Sequence, residues 1–231
     1  MSGRSPRWFT GIQYPYEANF ADNTWEQIIS VCQKGIVPLS WKVGDQKAMT
    51  IGGTDYLIDI IGINHDDYSD GSGKAPFTFQ LHDCYGEAKN MNSSNTNKGG
   101  WTSCAMRSTH LPAILALMPT EVKNGIREVN KLTSAGSNSS TINTTADKLF
   151  LLSEVEIFGS TTYSAAGEGT QYDYYKAGNS KVKNRNGSAA YWWERSPRAI
   201  NYEIFCMVDK IGSAKYSGAS NARFVAFGFC F

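Results

Sequence analysis

Phe224-Val225-Ala226-Phe227-Gly228-Phe229-Cys230-Phe231 closes the chain and is its longest uninterrupted apolar run. Eight residues are far short of the roughly 20 that an apolar helix needs to cross a bilayer. Its β-branched and aromatic residues, bounded upstream by Gly, Ser and Asn, instead predict an apolar strand over 224–229 in which the chain ends. Such a strand at the very end needs partners from earlier in the chain, so the reading moves outward from here. Strand-like pieces precede it at Tyr191 to Glu194 and Ile204 to Val208.

Further upstream, Met49-Thr50-Ile51, the Gly52-Gly53 turn and Tyr56 to Ile63 read as a hairpin, and Phe77 to Leu81 as another strand. Two helical regions interrupt the strands. Trp25, Ile28, Ile29 and Cys32 recur at helical spacing between Asn23, read as the N-cap, and Gly35, read as the stop. Met106, Leu111, Ile114, Leu115 and Met118 share one helix face, with Pro112 either in the first turn or breaking the helix in two. Asn90 to Gly100 and Ser134 to Thr145 are polar runs that read as surface loops. Leu149 to Phe158 ends in the alternation Glu154-Val155-Glu156-Ile157, which predicts a strand with one wet face carrying both glutamates. These elements give an α+β fold with two helices, a mixed or antiparallel sheet and long irregular loops. With no compositional break or linker, the 231 residues read as one domain.

Composition narrows the function classes. Twenty-two basic and 21 acidic residues leave a net charge of +1, too little field to gather nucleic acid or an anionic membrane. The 12 Tyr, 11 Phe and 6 Trp supply ample core material. Met1 to Gln13 has no apolar h-region, so no secretory signal is expected. Cys32, Cys84, Cys104, Cys206 and Cys230 are odd in number and widely spaced, which predicts reduced, buried thiols.

Residue types suggest several sites, and spacing argues against most. His65-Asp66-Asp67 with Asp70-Gly71 crowds oxygen ligands together, but the third and twelfth positions from Asp66 are Tyr68 and Phe77, so an EF-hand loop is excluded and a solvated turn is expected. His82-Asp83-Cys84 lacks the paired Cys or His of a zinc site and reads as a buried thiol near a strand end. Glu154 and Glu156 have the residue types of an acid–base pair, yet a wet strand face explains them. No Gly-x-Ser-x-Gly elbow and no Walker loop is present. Neither metal nor cofactor is expected, and no catalytic residue is assigned.

Four segments together resemble the variable proteins of diversity-generating retroelements in bacteria and phages. They are Trp25-Glu26-Gln27-Ile28 leading to Trp41-Lys42-Val43-Gly44-Asp45; Gly99-Gly100-Trp101-Thr102-Ser103-Cys104-Ala105-Met106-Arg107; Leu149 to Glu156 with Gly159; and Trp192-Trp193-Glu194-Arg195-Ser196-Pro197 followed by Phe205-Cys206, Val208, Gly212 and Val225 to Cys230. The resemblance implies a C-type-lectin-like domain. Residues 24–190 would then be scaffold and 191–231 a variable-region-like segment, in which Trp101, Trp192, Trp193 and Arg195 are structural and Arg195 is a buried hydrogen-bond hub.

By that resemblance the variable, ligand-binding positions are Arg198, Ala199, Asn201, Tyr202, Glu203, Met207, Asp209, Lys215, Tyr216, Ser217, Asn221 and Arg223. Tyr, Asn, Ser and Arg suit such a role, since aromatic rings give contact area at low entropy cost and small polar groups adapt their hydrogen bonds. Two departures stand out. Mutated Asn codons of the best-known systems cannot yield Glu203, Met207 or Lys215, and Ile200 stands where the family often has Gly. The implied function is recognition of a protein or glycan receptor on a cell surface by a phage tail or other virion component, in copies that a trimeric tail fibre would supply, without nucleic acid or membrane insertion. Two other classes remain: a formylglycine-generating type of enzyme on the same broad fold, which needs a reactive thiol pair, and a purely structural virion or surface component.

Overall fold

The computed structural model describes residues 15–231, and the reading of Met1 to Gln13 lies outside them. After a 3-10 turn at Phe20–Asp22, helix α1 spans Trp25–Gln33. Its cap is Thr24 rather than Asn23. The Thr24 hydroxyl accepts from the Gln27 amide at 3.2 Å while the Gln27 side chain accepts from the Thr24 amide at 2.8 Å, a reciprocal capping box. Asn23 instead closes the preceding turn, its Nδ2 donating to the carbonyls of Glu17, Asn19 and Phe20. The expected hairpin forms from β1 (Gln46–Ile51) and β2 (Thr54–Ile63), turning on Gly52 and Gly53 at φ 57° and 81°. Strand β3 (Phe77–Leu81) is buried throughout, and β4 (Tyr85–Lys89) follows.

The second helical region is broken into pieces. Helix α2 (Gly100–Ser103) leads to a π-helical turn at Met106–His110, α3 (Leu111–Ala116) with Pro112 in its first turn, and α4 (Thr120–Gly125). The polar run after Ser134 proves to be half strand, because β5 (Val129–Ser134) and β6 (Ile142–Asp147) form a two-stranded hairpin. Strand β7 is only Leu149–Phe150.

The expected strand over Glu154 to Phe158 is instead helix α5. Ser153 and Glu156 make a second capping box, with the Ser153 hydroxyl accepting from the Glu156 amide at 3.1 Å, and Gly159 ends the helix in the left-handed region. Both glutamates are therefore buried rather than wet. Helix α6 (Asp173–Lys176) and the short β8 (Asn184–Arg185) and β9 (Ser188–Ala189) lead to β10 (Trp192–Pro197), β11 (Ile204–Val208), β12 (Ala214–Gly218), β13 (Arg223–Val225) and β14 (Gly228–Cys230).

Two five-stranded sheets result, ordered β1-β2-β3-β14-β7 and β12-β11-β10-β13-β4. The terminal apolar run is two strands, not one. Its first part, β13, lies beside β10 and β4, and after Ala226-Phe227 its second part, β14, enters the other sheet between β3 and β7. The run thus joins both sheets through one core in which Phe79 meets the rings of Phe20, Trp25, Phe229 and Phe231. The fold is α+β with most of its regular structure in sheets, and β10–β13 supplies a parallel pair in otherwise antiparallel surroundings. Among the described residues no helix is long and apolar enough to cross a membrane.

Candidate recognition surface

Strand β10 is the central strand of the second sheet and is buried along its whole length. Trp192 and Trp193 are fully buried, their indole N–H groups donating to the carbonyls of Lys181 at 3.0 Å and Lys89 at 2.7 Å. Trp101, also buried, donates to Asp147 at 2.9 Å. Arg195 is the hub that the sequence suggested. Its guanidinium pairs with both oxygens of Glu156 and donates to the carbonyls of Leu132, Leu151 and Glu168 and to the Thr133 hydroxyl. Lys131 extends the network, with its ammonium 2.6 Å from Asp66, 2.9 Å from Glu156 and 2.8 Å from the Tyr172 hydroxyl. The basic partners hold Asp66 and Glu156 below the usual carboxylate range although burial acts the other way. Asp66 thus belongs to the interior and not to a solvated turn.

On this support stand the residues singled out from the sequence. Arg198, leaving β10, lies over the Tyr216 ring at 3.9 Å from its centroid, and Tyr163 meets Tyr216 edge-on at 4.9 Å. Ala199 donates its amide to the Tyr163 carbonyl at 2.8 Å, which ties the 198–204 loop to the segment after α5. The tip of that loop is exposed, with Tyr202 at 58% and Ile200 at 77%. Asn201 and Glu203 are half-buried there, the Glu203 amide donating to the Asn201 side chain. Asp209 holds the β11–β12 turn by accepting from the amides of Ile211 and Ser213.

Two assigned positions face inward. Met207 and Ser217 are buried, at 4% and 6% exposure; β11 is covered on both faces from Phe205 to Val208, and Ser217 lies opposite buried Phe205. Lys215, opposite Met207 in the register, and Tyr216, opposite Cys206, therefore project from opposite faces of the hairpin. Arg223 is set apart. It sits with Lys210 near the Tyr191 ring, in a cleft of ≈ 350 Å³ that Arg185 also lines. Asn221 reaches back to the Ser217 hydroxyl at 3.1 Å. The assigned residues thus form a cluster around Arg198, Tyr202 and Tyr216, a separate group at Arg223, and an inward pair.

Sequence reasoning missed the residues that hold the loop. Asn97, fully buried, donates through Nδ2 to the carbonyls of Asn201 at 2.6 Å and Ile204 at 2.8 Å, while its amide donates to the Tyr202 carbonyl at 2.7 Å. Asn95 similarly accepts from the amide and hydroxyl of Ser220. The Asn-rich run is therefore a structural brace, and its composition could not say so, because Asn serves turns and buried bridges alike. Gly136 lies so close that a Cβ there would collide with the Asn97 carbonyl.

All five cysteines are buried and free, and burial pushes their thiols up, Cys84 and Cys104 to about 12. His82, in the second tempting cluster, pairs with buried Asp59 at 2.9 Å instead of with Cys84.

A family model described as a domain of unknown function (DUF6273) matches residues 67–226, which is most of the chain, and the protein belongs to that family. No curated protein and no solved structure matches it.

Proposed function

We propose that the protein is a ligand-recognition module with a C-type-lectin-like fold, in which β10 and its buried partners hold an exchangeable surface built on the 198–204 loop and the β11–β12 hairpin. The observation that carries this reading is the contrast across a few residues. Trp192 to Pro197 are all buried, whereas Ile200 and Tyr202 turn most of their apolar area to solvent and Tyr216, between Arg198 and Tyr163, stays partly exposed beside them. Substitutions at such positions change stability by about half a kcal/mol or less, so the surface can vary while the fold persists. The partner is a protein or glycan on a cell surface, the setting a phage tail or similar particle, and repeated copies, as in a trimer, would add avidity. The upward-shifted buried thiols support a binding role over thiol-based oxygen chemistry, which requires an accessible, low-pKa cysteine.

Deep resequencing of the gene in the population that carries it tests the reading. Nonsynonymous variation is expected at the codons for Arg198, Ala199, Asn201, Tyr202, Tyr216 and Asn221 and is expected to spare Phe205, Cys206, Met207, Val208 and Ser217. Variation spread evenly along the chain would sink the proposal.

A further inference from the structure

Beneath the Arg198–Tyr216–Tyr163 cap lies a group of side chains that the recognition surface does not use. Glu154 from the first turn of α5, Glu194 from β10 and Cys206 from β11 are all fully buried, and one donor atom from each lies within 4.8 Å of the other two. Register explains the meeting. Trp193 is opposite Met207 in the β10–β11 pair and Cys206 opposite Tyr216 in the β11–β12 pair, so Glu194, Cys206 and Tyr216 follow one another across the three strands.

The charge balance of the interior is uneven at this point. Lys131 and Arg195 are matched by Asp66 and Glu156. Glu154, Glu168 and Glu194 then share the adjoining interior without a buried cation of their own, and Arg198 reaches it only from the half-buried cap. Glu154 is held in place as an acceptor. Its carboxylate takes the amides of Thr162, Tyr163 and Ser164 and the Ser164 hydroxyl at 2.8–3.1 Å, with four of these five contacts on Oε2. Glu154 Oε1 thus keeps coordinating capacity. Glu194 differs altogether, since neither of its oxygens has a hydrogen-bond partner among the described residues. Leaving a buried carboxyl unmatched is costly, and native interiors answer it with a partner, a proton or an ion.

We infer that Glu154, Glu194 and Cys206 form a buried binding site for a borderline divalent transition-metal ion of the zinc class. Two carboxylate oxygens and a thiolate are a ligand set that zinc and cobalt(II) accept, whereas calcium and magnesium ask for all-oxygen surroundings and more ligands. Donor atoms around one tetrahedral ion stand roughly 3.4–3.6 Å apart given zinc–oxygen bonds near 2.1 Å and zinc–sulfur bonds near 2.3 Å. Drawing the three atoms in from within 4.8 Å of one another therefore closes each pair by roughly 1.4 Å at most. Binding releases the Cys206 thiol proton, and any proton on Glu194, to solvent. The Ser164 hydroxyl and the three amides fix the Glu154 carboxylate as outer partners commonly fix a metal ligand. The ion would tie α5, β10 and β11 together directly under the proposed recognition surface. The site is argued from the buried side chains alone and stands or falls independently of that surface.

Refolding the full chain with cobalt(II) as the probe tests the site directly. One ion per chain and a sulfur-to-cobalt charge-transfer band in the near ultraviolet are expected, displaced by stoichiometric zinc. The band is expected to vanish in Cys206→Ser and to persist in Cys84→Ser. Glu194→Gln, which keeps the shape, is expected to weaken zinc binding by more than the roughly 10–100-fold that loss of an outer partner costs. No charge-transfer band in the folded wild-type chain would overturn the inference, as would a band that survives Cys206→Ser. If the wild type shows no band while Glu194→Gln melts higher than it does, a proton rather than a metal answers the buried carboxyl.

Discussion

Glu194 and Arg195 are neighbours on one strand, both fully buried, and they meet the interior in contrasting ways. Arg195 has two carboxylate oxygens, three carbonyls and a hydroxyl arranged around its guanidinium. Glu194 has no hydrogen-bond partner among the described residues, and the carboxyl of Glu154 and the thiol of Cys206 lie close to it. A buried ionisable group whose partners are all built into the chain explains itself as structure. One whose partners are lacking points outward, to something the chain acquires. That difference separates the Arg195 network, which is scaffold, from the Glu154–Glu194–Cys206 cluster proposed as a metal site.

Removing Arg195 should have the largest effect. Arg195→Ala leaves Glu156 buried beside Lys131 alone and strands three carbonyls, so a loss of about 3–5 kcal/mol is expected, the cost of breaking a buried pair from one side. Chemical denaturation checks it, and a loss below about 1 kcal/mol would mean that the hub is dispensable.

A smaller effect belongs to Glu168, which sits between the two regions, with its carbonyl on Arg195 and its carboxyl accepting from the Ser134 amide. Burial pushes this carboxyl up to about 7 from 4.5, against the lowering contacts of Ser196 and Ser134 and the Arg195 charge. Between these values the folded chain holds a proton that the unfolded chain has released. The stability from that proton is present below pH 4.5 and is lost as pH rises through about 7. Unfolding free energy should therefore fall from pH 5 to pH 8, by a few kcal/mol at most at about 1.4 kcal/mol per pKa unit. Denaturant midpoints across that range should flatten in Glu168→Gln, and an unchanged slope in that variant would assign the pH dependence elsewhere.

The smallest change is expected at the surface. Tyr202→Ser should alter stability by about half a kcal/mol or less, because the exposed ring packs on little and Asn97 holds the loop through backbone atoms that any residue provides. Thermal melting measures this. A drop of more than about 2 kcal/mol would show that Tyr202 is scaffold and would weaken the case for an exchangeable surface.

Much of this architecture is legible in local signals. The β1–β2 hairpin follows from alternation around Gly52-Gly53, β3 and β11 from short β-rich runs with clear edges, and α1 from its apolar stripe. The α5 error is instructive in the same terms. Over five residues, Glu-Val-Glu-Ile-Phe fits a two-residue period, and only the capping box from Ser153 to Glu156 tells against it. The burial of Met207 and Ser217 is not legible locally for a related reason: β11 is covered on both faces, so no two-residue period marks which of its side chains reach solvent. Short-range ligand spacing, the basis for expecting no metal, cannot register Glu154, Glu194 and Cys206, which are spread over 52 residues of chain.

By itself the sequence determined the class of fold, the absence of a membrane-length apolar run and the buried, reduced state expected of the cysteines, because hydrophobic period, length and composition act locally. Tertiary structure alone decided that the last apolar run divides between two sheets, that Asn97 braces a loop more than 100 residues away, and that three distant side chains converge beside a balanced ion network. Those outcomes depend on strand register and on which charges end up sharing the same low-dielectric space, and neither is encoded in any single stretch of chain.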